Sequence, residues 1–319
     1  MNPRLLSGAI VSAAAAAVLY LGFSLFAGWS GVAAAFSEVG WLTFDAALCL
    51  SLGNYLLRLV RWRMYLKALG APLDWATSQT IYFAGFALTA TPGKAGELLR
   101  ALFLKREGAS FLVATSAFLS ERLSDLIGVL LIALPGAAAF PRGGWIIGAG
   151  CGVVGALGLA LSFSGPVEIA RNALSRLRPR FAAKAGSIVA LLIATRRCHA
   201  PGAFAGATAL SLAAWACEAF AFHLVLERMG VDVGLGWAMS VYALAMLAGA
   251  ISFLPGGVGG GAEAVMAAML VAAGAPEAKA VAATVIIRLA TLWFAVAIGV
   301  LTMALERRRL WPAAATAAA

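Results

Sequence analysis

The sequence predicts an all-α polytopic membrane protein, built as an inverted-topology repeat with about six full transmembrane helices and two re-entrant helical hairpins. Three observations lead there. Hydrophobic residues make up 62% of the 319-residue chain and charged residues 12%, with a mean hydropathy of +0.92, whereas a soluble domain carries about 25% charged residues. Two apolar runs are each interrupted by a Pro/Gly segment that carries a glutamate: Thr91-Pro92-Gly93-Lys94-Ala95-Gly96-Glu97, and Pro255-Gly256-Gly257-Val258-Gly259-Gly260-Gly261-Ala262-Glu263. Helix breakers at membrane depth free backbone groups that lipid cannot satisfy, so such breaks belong where protein or a wet cavity surrounds them, and a matched pair points to a transporter's binding site. The third observation is that the two halves correspond. The offset is 160 from Leu66 to Leu226, 162 from Trp75 to Trp237 and 163 from Pro92 to Pro255. It reaches 166 both from Glu97 to Glu263 and from Arg122 to Arg288. A slowly rising offset means one duplicated block with a few loop residues added.

In chain order, the first helix lies in residues 1–40. Small residues at Val32 to Ala35 offer a cleavage site, but an uncleaved helix closes the topology. Leu42 to Trp62 is the second span, ending in Arg61, Arg63 and Lys67. Trp75 to Thr91 is short for a crossing; the Pro92 break and a short helix to Arg106 follow. Phe111 to Leu134 spans, Pro135 to Gly144 turns, and Trp145 to Ser164 spans again. Pro166 to His199 is rich in arginine. Ala203 to Leu226, the short run Trp237 to Leu254, the helix Val258 to Ala273 and the span Lys279 to Leu305 complete the chain. The chain thus reads as a single membrane domain, 1–319. Repeat 1 covers 41–140 with hairpin 75–107, a connecting helix and basic cytoplasmic segment cover 141–200, and repeat 2 covers 201–306 with hairpin 237–274.

Charge sets the orientation. The net charge of +10 in a soluble protein would suggest nucleic acid; here the basic residues cluster in short loops, which excludes that partner and marks the cytoplasmic side. All the basic clusters fall inside when each hairpin returns to its own side, so both termini are cytoplasmic. Arg171, Arg176, Arg178, Arg180 and Lys184 read as an interfacial helix on anionic inner-leaflet lipid, or as a simple positive-inside loop. The block containing the first break starts with an outside-to-inside span and the second with an inside-to-outside span, so the repeats are inverted and the hairpin tips meet near the midplane.

Ionisable residues inside spans need partners or a cavity. Glu97 and Arg100, three apart, are expected to pair. Glu121 and Asp125 share a helix face, with Arg122 about 100° away. Arg58 and Glu218 stand at repeat-equivalent positions with opposite charge and are expected to pair across the axis, while Glu97/Arg100 and Glu121/Arg122 are the pairs expected to rearrange. The functional expectation is that Lys94, Arg122 and Arg288 form a positive site with the starts of the two short helices, backed by Glu97, Arg100 and Glu263. There Gly93, Gly256 and Gly257 let the backbone approach an anion, a lipid phosphate in a bilayer. The bland reading is structural neutralisation. His223 reads as a hydrogen-bonded core residue rather than a proton relay, and Cys49, Cys151, Cys198 and Cys217 as packing residues. No metal or cofactor spacing, and no hydrolase, protease or nucleotide motif, is present in the sequence.

Four motifs resemble one family. Asn54-Tyr55-Leu56-Leu57-Arg58-Leu59-Val60-Arg61-Trp62, Pro92-Gly93-Lys94-Ala95-Gly96-Glu97-Leu98-Leu99-Arg100, Glu121-Arg122-Leu123-Ser124-Asp125 and Leu254-Pro255-Gly256-Gly257-Val258-Gly259 resemble the lysylphosphatidylglycerol synthase/flippase membrane region. The resemblance covers nearly the whole chain and implies a lipid-translocating protein with two re-entrant helices. The soluble aminoacyl-transferase domain of the synthase members is not in this sequence, so lipid aminoacylation is not implied. The second break is richer in glycine than the family pattern. The expected function is a lipid flippase of the bacterial cytoplasmic membrane, working by alternating access on a phosphate-bearing lipid, and not an enzyme. The alternatives are a membrane-embedded lipid-modifying transferase, with Glu97 or Glu121 as base, and a non-catalytic partner of a lipid-biosynthesis enzyme.

Overall fold

The computed structural model describes residues 29–90, 95–137, 144–175, 179–251 and 261–311, and these contain helices and turns but no strand. The elements are α1 (Trp29–Ala68), α2 (Trp75–Ala84) continued by a 3-10 turn (Gly85–Leu88), α3 (Ala95–Arg106), α4 (Phe111–Ala137), α5 (Gly144–Ser162), α6 (Ser164–Ser175) and α7 (Pro179–Cys198). They continue with α8 (Pro201–Arg228), α9 (Leu235–Ile251), α10 (Ala262–Ala272), α11 (Glu277–Arg288), a π turn (Leu289–Trp293), α12 (Phe294–Leu305) and α13 (Arg307–Leu310). Among the described residues three stretches are long and apolar enough to cross a membrane: Ala34–Ala68, Pro201–Arg228 and Glu277–Leu305. A fourth is Ile147–Ser162 with Ser164–Ala173, if that pair, bent by 85°, is one span. The 27-residue α4 is as long but carries Glu121, Arg122 and Asp125 at its middle.

The described chain is helical from Trp29 and kinks at Gly40, whose φ of 73° only glycine adopts freely, two residues before the span expected from Leu42. One boundary differs from the sequence expectation. The α4 helix runs through Pro135 to Ala137 rather than turning there. Proline removes a backbone donor and displaces the preceding carbonyls, and Ser240 on α9 makes good the loss. Its Oγ reaches the Ala133 carbonyl at 3.0 Å and accepts the Gly136 N–H at 2.8 Å.

The α1 and α8 helices pack most extensively. Arg228 Nε donates to Thr43 Oγ1, Asn54 Nδ2 donates to the Ala214 carbonyl at 2.8 Å, and Gly206 lies beside Met64, so the pair runs antiparallel. Each ends alike. The N–H groups of Leu69, Gly70 and Ala71 return to the carbonyls of Tyr65, Lys67 and Leu66. Those of Met229, Gly230 and Val231 return to Val225, Glu227 and Leu226. Gly70 and Gly230 supply the positive φ, 76° and 64°, that this cap requires. The same closure recurs after α3 and α10, at Gly108 (86°) and Gly274 (93°). Asp74 caps α2 by accepting the Thr77 N–H at 2.9 Å, and the hydrogen bonds from Thr77 hold its carboxyl below the ordinary value.

Apolar packing divides into two clusters. One gathers Ala35 to Leu50 of α1, Trp215 to Met229 of α8, the end of α4, and α9, α10 and α11. The other gathers Leu59 to Leu69 of α1, the start of α4, α2, α3, Cys198, Ala207 and Leu310. Between them, on α1, α4 and α8, lie Ser51, Asn54, Ser120, Glu121, Ser124, Asp125 and Ser211, all buried. A polar layer therefore separates two dry cores.

Candidate functional site

The polar layer is built on ion pairs. Arg100 on α3 grips Glu121 on α4 with Nη2 at 2.8 Å and Nη1 at 3.4 Å, and its guanidinium lies 4.9 Å over the Tyr82 ring and 5.7 Å over Trp62. Asp125, a turn further on, gathers Arg61 at 2.8 Å, Arg122 at 3.0 Å and Arg58 at 3.5 Å. Its Oδ1 also accepts the indole N–H of Trp215 at 3.0 Å. One carboxylate thus ties α1, α4 and α8. Arg61 has no exposed side-chain surface, and its Nε and Nη1 donate to no group among the described residues. On the other side of the layer, Arg288 at the end of α11 donates through Nε to Glu263 Oε1 at 2.9 Å. Glu263 stands in the first turn of α10. Each short helix that follows a break is therefore pinned by a buried ion pair to the helix after it.

Small residues let the arms of each break close. A Cβ on Gly96 would overlap the Gly85 carbonyl, and one on Gly249 would come within 3.0 Å of Ala262 Cβ. Gly299 of α12 gives the same close approach to Ala87, at the 3-10 turn. The cleft beside Arg100 and Glu121, lined also by Trp62, Leu104 and Phe118, holds only about 10 Å³, room for at most one water molecule.

Several sequence expectations need correction. Arg58 does not pair with Glu218: it pairs with Asp125, and Glu218 Oε2 accepts the Tyr242 hydroxyl at 2.6 Å. The antiparallel packing explains this, because Cys217 lies beside Gly53 and Arg58 is five residues further along, roughly 7.5 Å at 1.5 Å per residue. Glu121 pairs with Arg100, not Arg122, and Arg122 turns to Asp125 on its own helix. Arg122 and Arg288, read as the cations of one open anion site, are each engaged by a carboxylate. Gly93, Lys94, Gly256 and Gly257 lie outside the described residues, as does the side chain of Glu97, and with them the expected hairpin tips and the Glu97/Arg100 pair. Of the basic segment, Arg171 is exposed on α6, Arg176 and Arg178 lie outside the described residues, and Arg180 and Lys184 stand on α7 with side chains outside them.

Sequence reasoning missed Arg61, grouped with loop charges, and Tyr242. Arg61 was findable: three residues from Arg58, it shares that residue's helix face.

The chain matches the family described as the lysylphosphatidylglycerol synthase TM region over residues 5–299. It belongs to that family. Similar relatives include two UPF0104 membrane proteins of Methanothermobacter thermautotrophicus, one 33% identical over 90 residues and the other 34% over 91. Each match covers 28% of this chain and 27% of the relative, so it speaks for kinship over a segment only. The matched span takes in every ion pair described above.

Proposed function

We propose that this membrane protein moves a phosphate-bearing lipid between leaflets by alternating access, without changing it covalently. The observation that carries the reading is the pair of buried clamps, Arg100–Glu121 and Glu263–Arg288, each fastening the helix after a Pro/Gly break. Buried charges at membrane depth are costly and mark pathways more than they add stability. A clamp that exchanges its carboxylate for a lipid phosphate would release that helix, and arginine is the side chain suited to bidentate phosphate binding.

The recurring helix closures at Gly70/Gly230 and Gly108/Gly274 support a duplicated block. The antiparallel α1/α8 pair supports an inverted one, with about six full spans and two re-entrant hairpins. Tertiary contacts support the charge-based orientation. Lys279 binds Glu38 at 2.9 Å and the Met229 carbonyl at 2.5 Å at one end of the bundle. Arg106, in a basic cluster read as cytoplasmic, binds the Leu310 carbonyl beside Arg307 to Arg309 at the other. The bacterial cytoplasmic membrane, with both termini cytoplasmic, is the setting that fits. Arg171, Arg176, Arg178, Arg180 and Lys184 would then face anionic inner-leaflet lipid. The exposure of Ile169 (71%) and Phe163 (54%) beside Arg171 suits a helix lying in the interface.

The test is reconstitution into liposomes with head-group-labelled phospholipids, following leaflet exchange and lipid mass. Wild type is expected to exchange an anionic lipid at unchanged mass, and Arg100→Ala and Glu263→Ala to slow that exchange at least tenfold. Equal exchange by wild type and both variants across anionic and zwitterionic lipids would refute the site, and a change in lipid mass would favour the transferase.

A further inference from the structure

Four carboxylates are buried among the described residues: Glu121, Asp125, Glu218 and Glu263. Three of them are held by arginine: Glu121 by Arg100, Asp125 by Arg58, Arg61 and Arg122, and Glu263 by Arg288. Glu218 is different. Its Oε2 takes the Tyr242 hydroxyl at 2.6 Å, and no cation among the described residues forms an ion pair with it. The groups that act on it from the packed helices are Tyr55 and Arg58 on α1, Asp125 on α4, Tyr242 on α9 and Arg288 on α11. Cys217 and His223 are its titratable neighbours on α8 itself. Both arginines in that set are already committed to other carboxylates.

A charge at this depth without a counter-ion costs several kcal/mol, and an intramembrane carboxyl lacking one is the group type that proton relays are made from. We infer that Glu218 is a proton-binding site, and that proton passage through it is coupled to lipid movement; the coupling rests on the lipid-transport reading above, the proton site does not. One proton adds to a carboxylate oxygen from water on one side, giving a neutral acid, and leaves to water on the other. Only that O–H bond forms and breaks.

The neighbours say what the proton controls. With Glu218 neutral, Arg58 stays on Asp125 and Arg288 stays on Glu263. With Glu218 charged, its field acts on both guanidiniums. Arg288 is the consequential one, because Glu263 opens α10, the helix that follows the second break. Directly after Arg288 the backbone makes its π turn, Leu289–Trp293, in which the Thr291 carbonyl accepts the Tyr55 hydroxyl. Such a turn holds one extra residue in the helix and gives the segment slack to shift. Proton loss at Glu218 therefore loosens the hold of α11 on α10.

Two measurements test this. In infrared difference spectra of the purified protein recorded across a pH series, a carboxylic-acid C=O band is expected to titrate and to be absent from Glu218→Gln. Tyr242→Phe, which keeps the carboxyl and removes its donor, should move that titration; should Glu218→Gln fail to fold, an unmoved titration in Tyr242→Phe would overturn the proton site. In liposomes, wild-type lipid distribution should follow an imposed pH gradient, up to about tenfold per pH unit for one proton per lipid. Glu218→Gln should exchange lipid without that response. The proton site is overturned if no band disappears with Glu218→Gln. The coupling is overturned if wild-type exchange ignores the gradient. If wild type exchanges no lipid at all, the transport reading fails instead, and the infrared titration still decides the proton site.

Discussion

At Asp125 one carboxylate faces Arg58, Arg61 and Arg122 and takes the Trp215 indole as well. Replacing it by alanine leaves Arg58 and Arg61 with buried charge and no carboxylate, a change that costs about 3–5 kcal/mol when one partner of a buried pair is removed. The thermal midpoint of Asp125→Ala in detergent is therefore expected to fall steeply. A midpoint matching wild type would mean that solvent or lipid reaches those guanidiniums. That the layer is charged was legible in the sequence, since Glu121, Arg122, Asp125, Glu218 and Arg288 stand in apolar runs. Who pairs with whom was not. Arg58 and Glu218 share a repeat position and have opposite charge, yet partnership also needs equal depth on two antiparallel helices, and a five-residue stagger is enough to part them. Arg61 was hidden by its neighbours Arg63 and Lys67, which do stand near the helix end and are only partly buried or exposed.

Among elements, the breaks and their neighbours divide in the same way. Pro92 and Pro255 mark the expected breaks in the sequence and lie outside the described residues, between the 3-10 turn and α3 and between α9 and α10. The glycines that let the arms touch are silent in a sequence with 35 glycines, because their meaning lies in what crosses them. Gly299 and Gly155 make the contrast measurable. A Cβ on Gly299 would overlap the backbone at Ala87, whereas one on Gly155 meets nothing within 4 Å. Gly299→Ala is expected to destabilise by about 1–3 kcal/mol through overpacking. Gly155→Ala, inside α5, should stabilise by roughly 0.5–1 kcal/mol through helix propensity. Both are read from thermal unfolding in detergent; equal signs would mean that α12 does not press on the 3-10 turn. The same reasoning explains why α4 continues past Pro135: the rescuing hydroxyl of Ser240 comes from a helix more than 100 residues later, which no local pattern reveals.

Across the whole molecule, two apolar cores flank one polar layer, and each end of the bundle is closed by its own contacts. Glu38, Thr43, Arg228, Met229 and Lys279 meet at one end. Tyr65, His199 and Phe204 stack at the other, where Arg106 and Phe103 also meet Leu310 and Trp311. Burial there pushes the His199 imidazole below its ordinary value. If the two blocks are inverted, the glycine-capped turns at Gly70 and Gly230, alike in backbone, must open onto opposite sides of the membrane, and so must those at Gly108 and Gly274. Exposed neighbours of these turns are Lys67, Glu107, Glu227 and Glu277. In a background with Cys49, Cys151, Cys198 and Cys217 replaced, single cysteines at Glu227 and Glu277 are expected to react with a membrane-impermeant maleimide added outside intact cells. Those at Lys67 and Glu107 should react only after permeabilisation. Both members of a turn pair labelling from one side would make the repeat parallel. The two clamped helices would then approach the polar layer from the same face, and alternating access through it would have no structural basis.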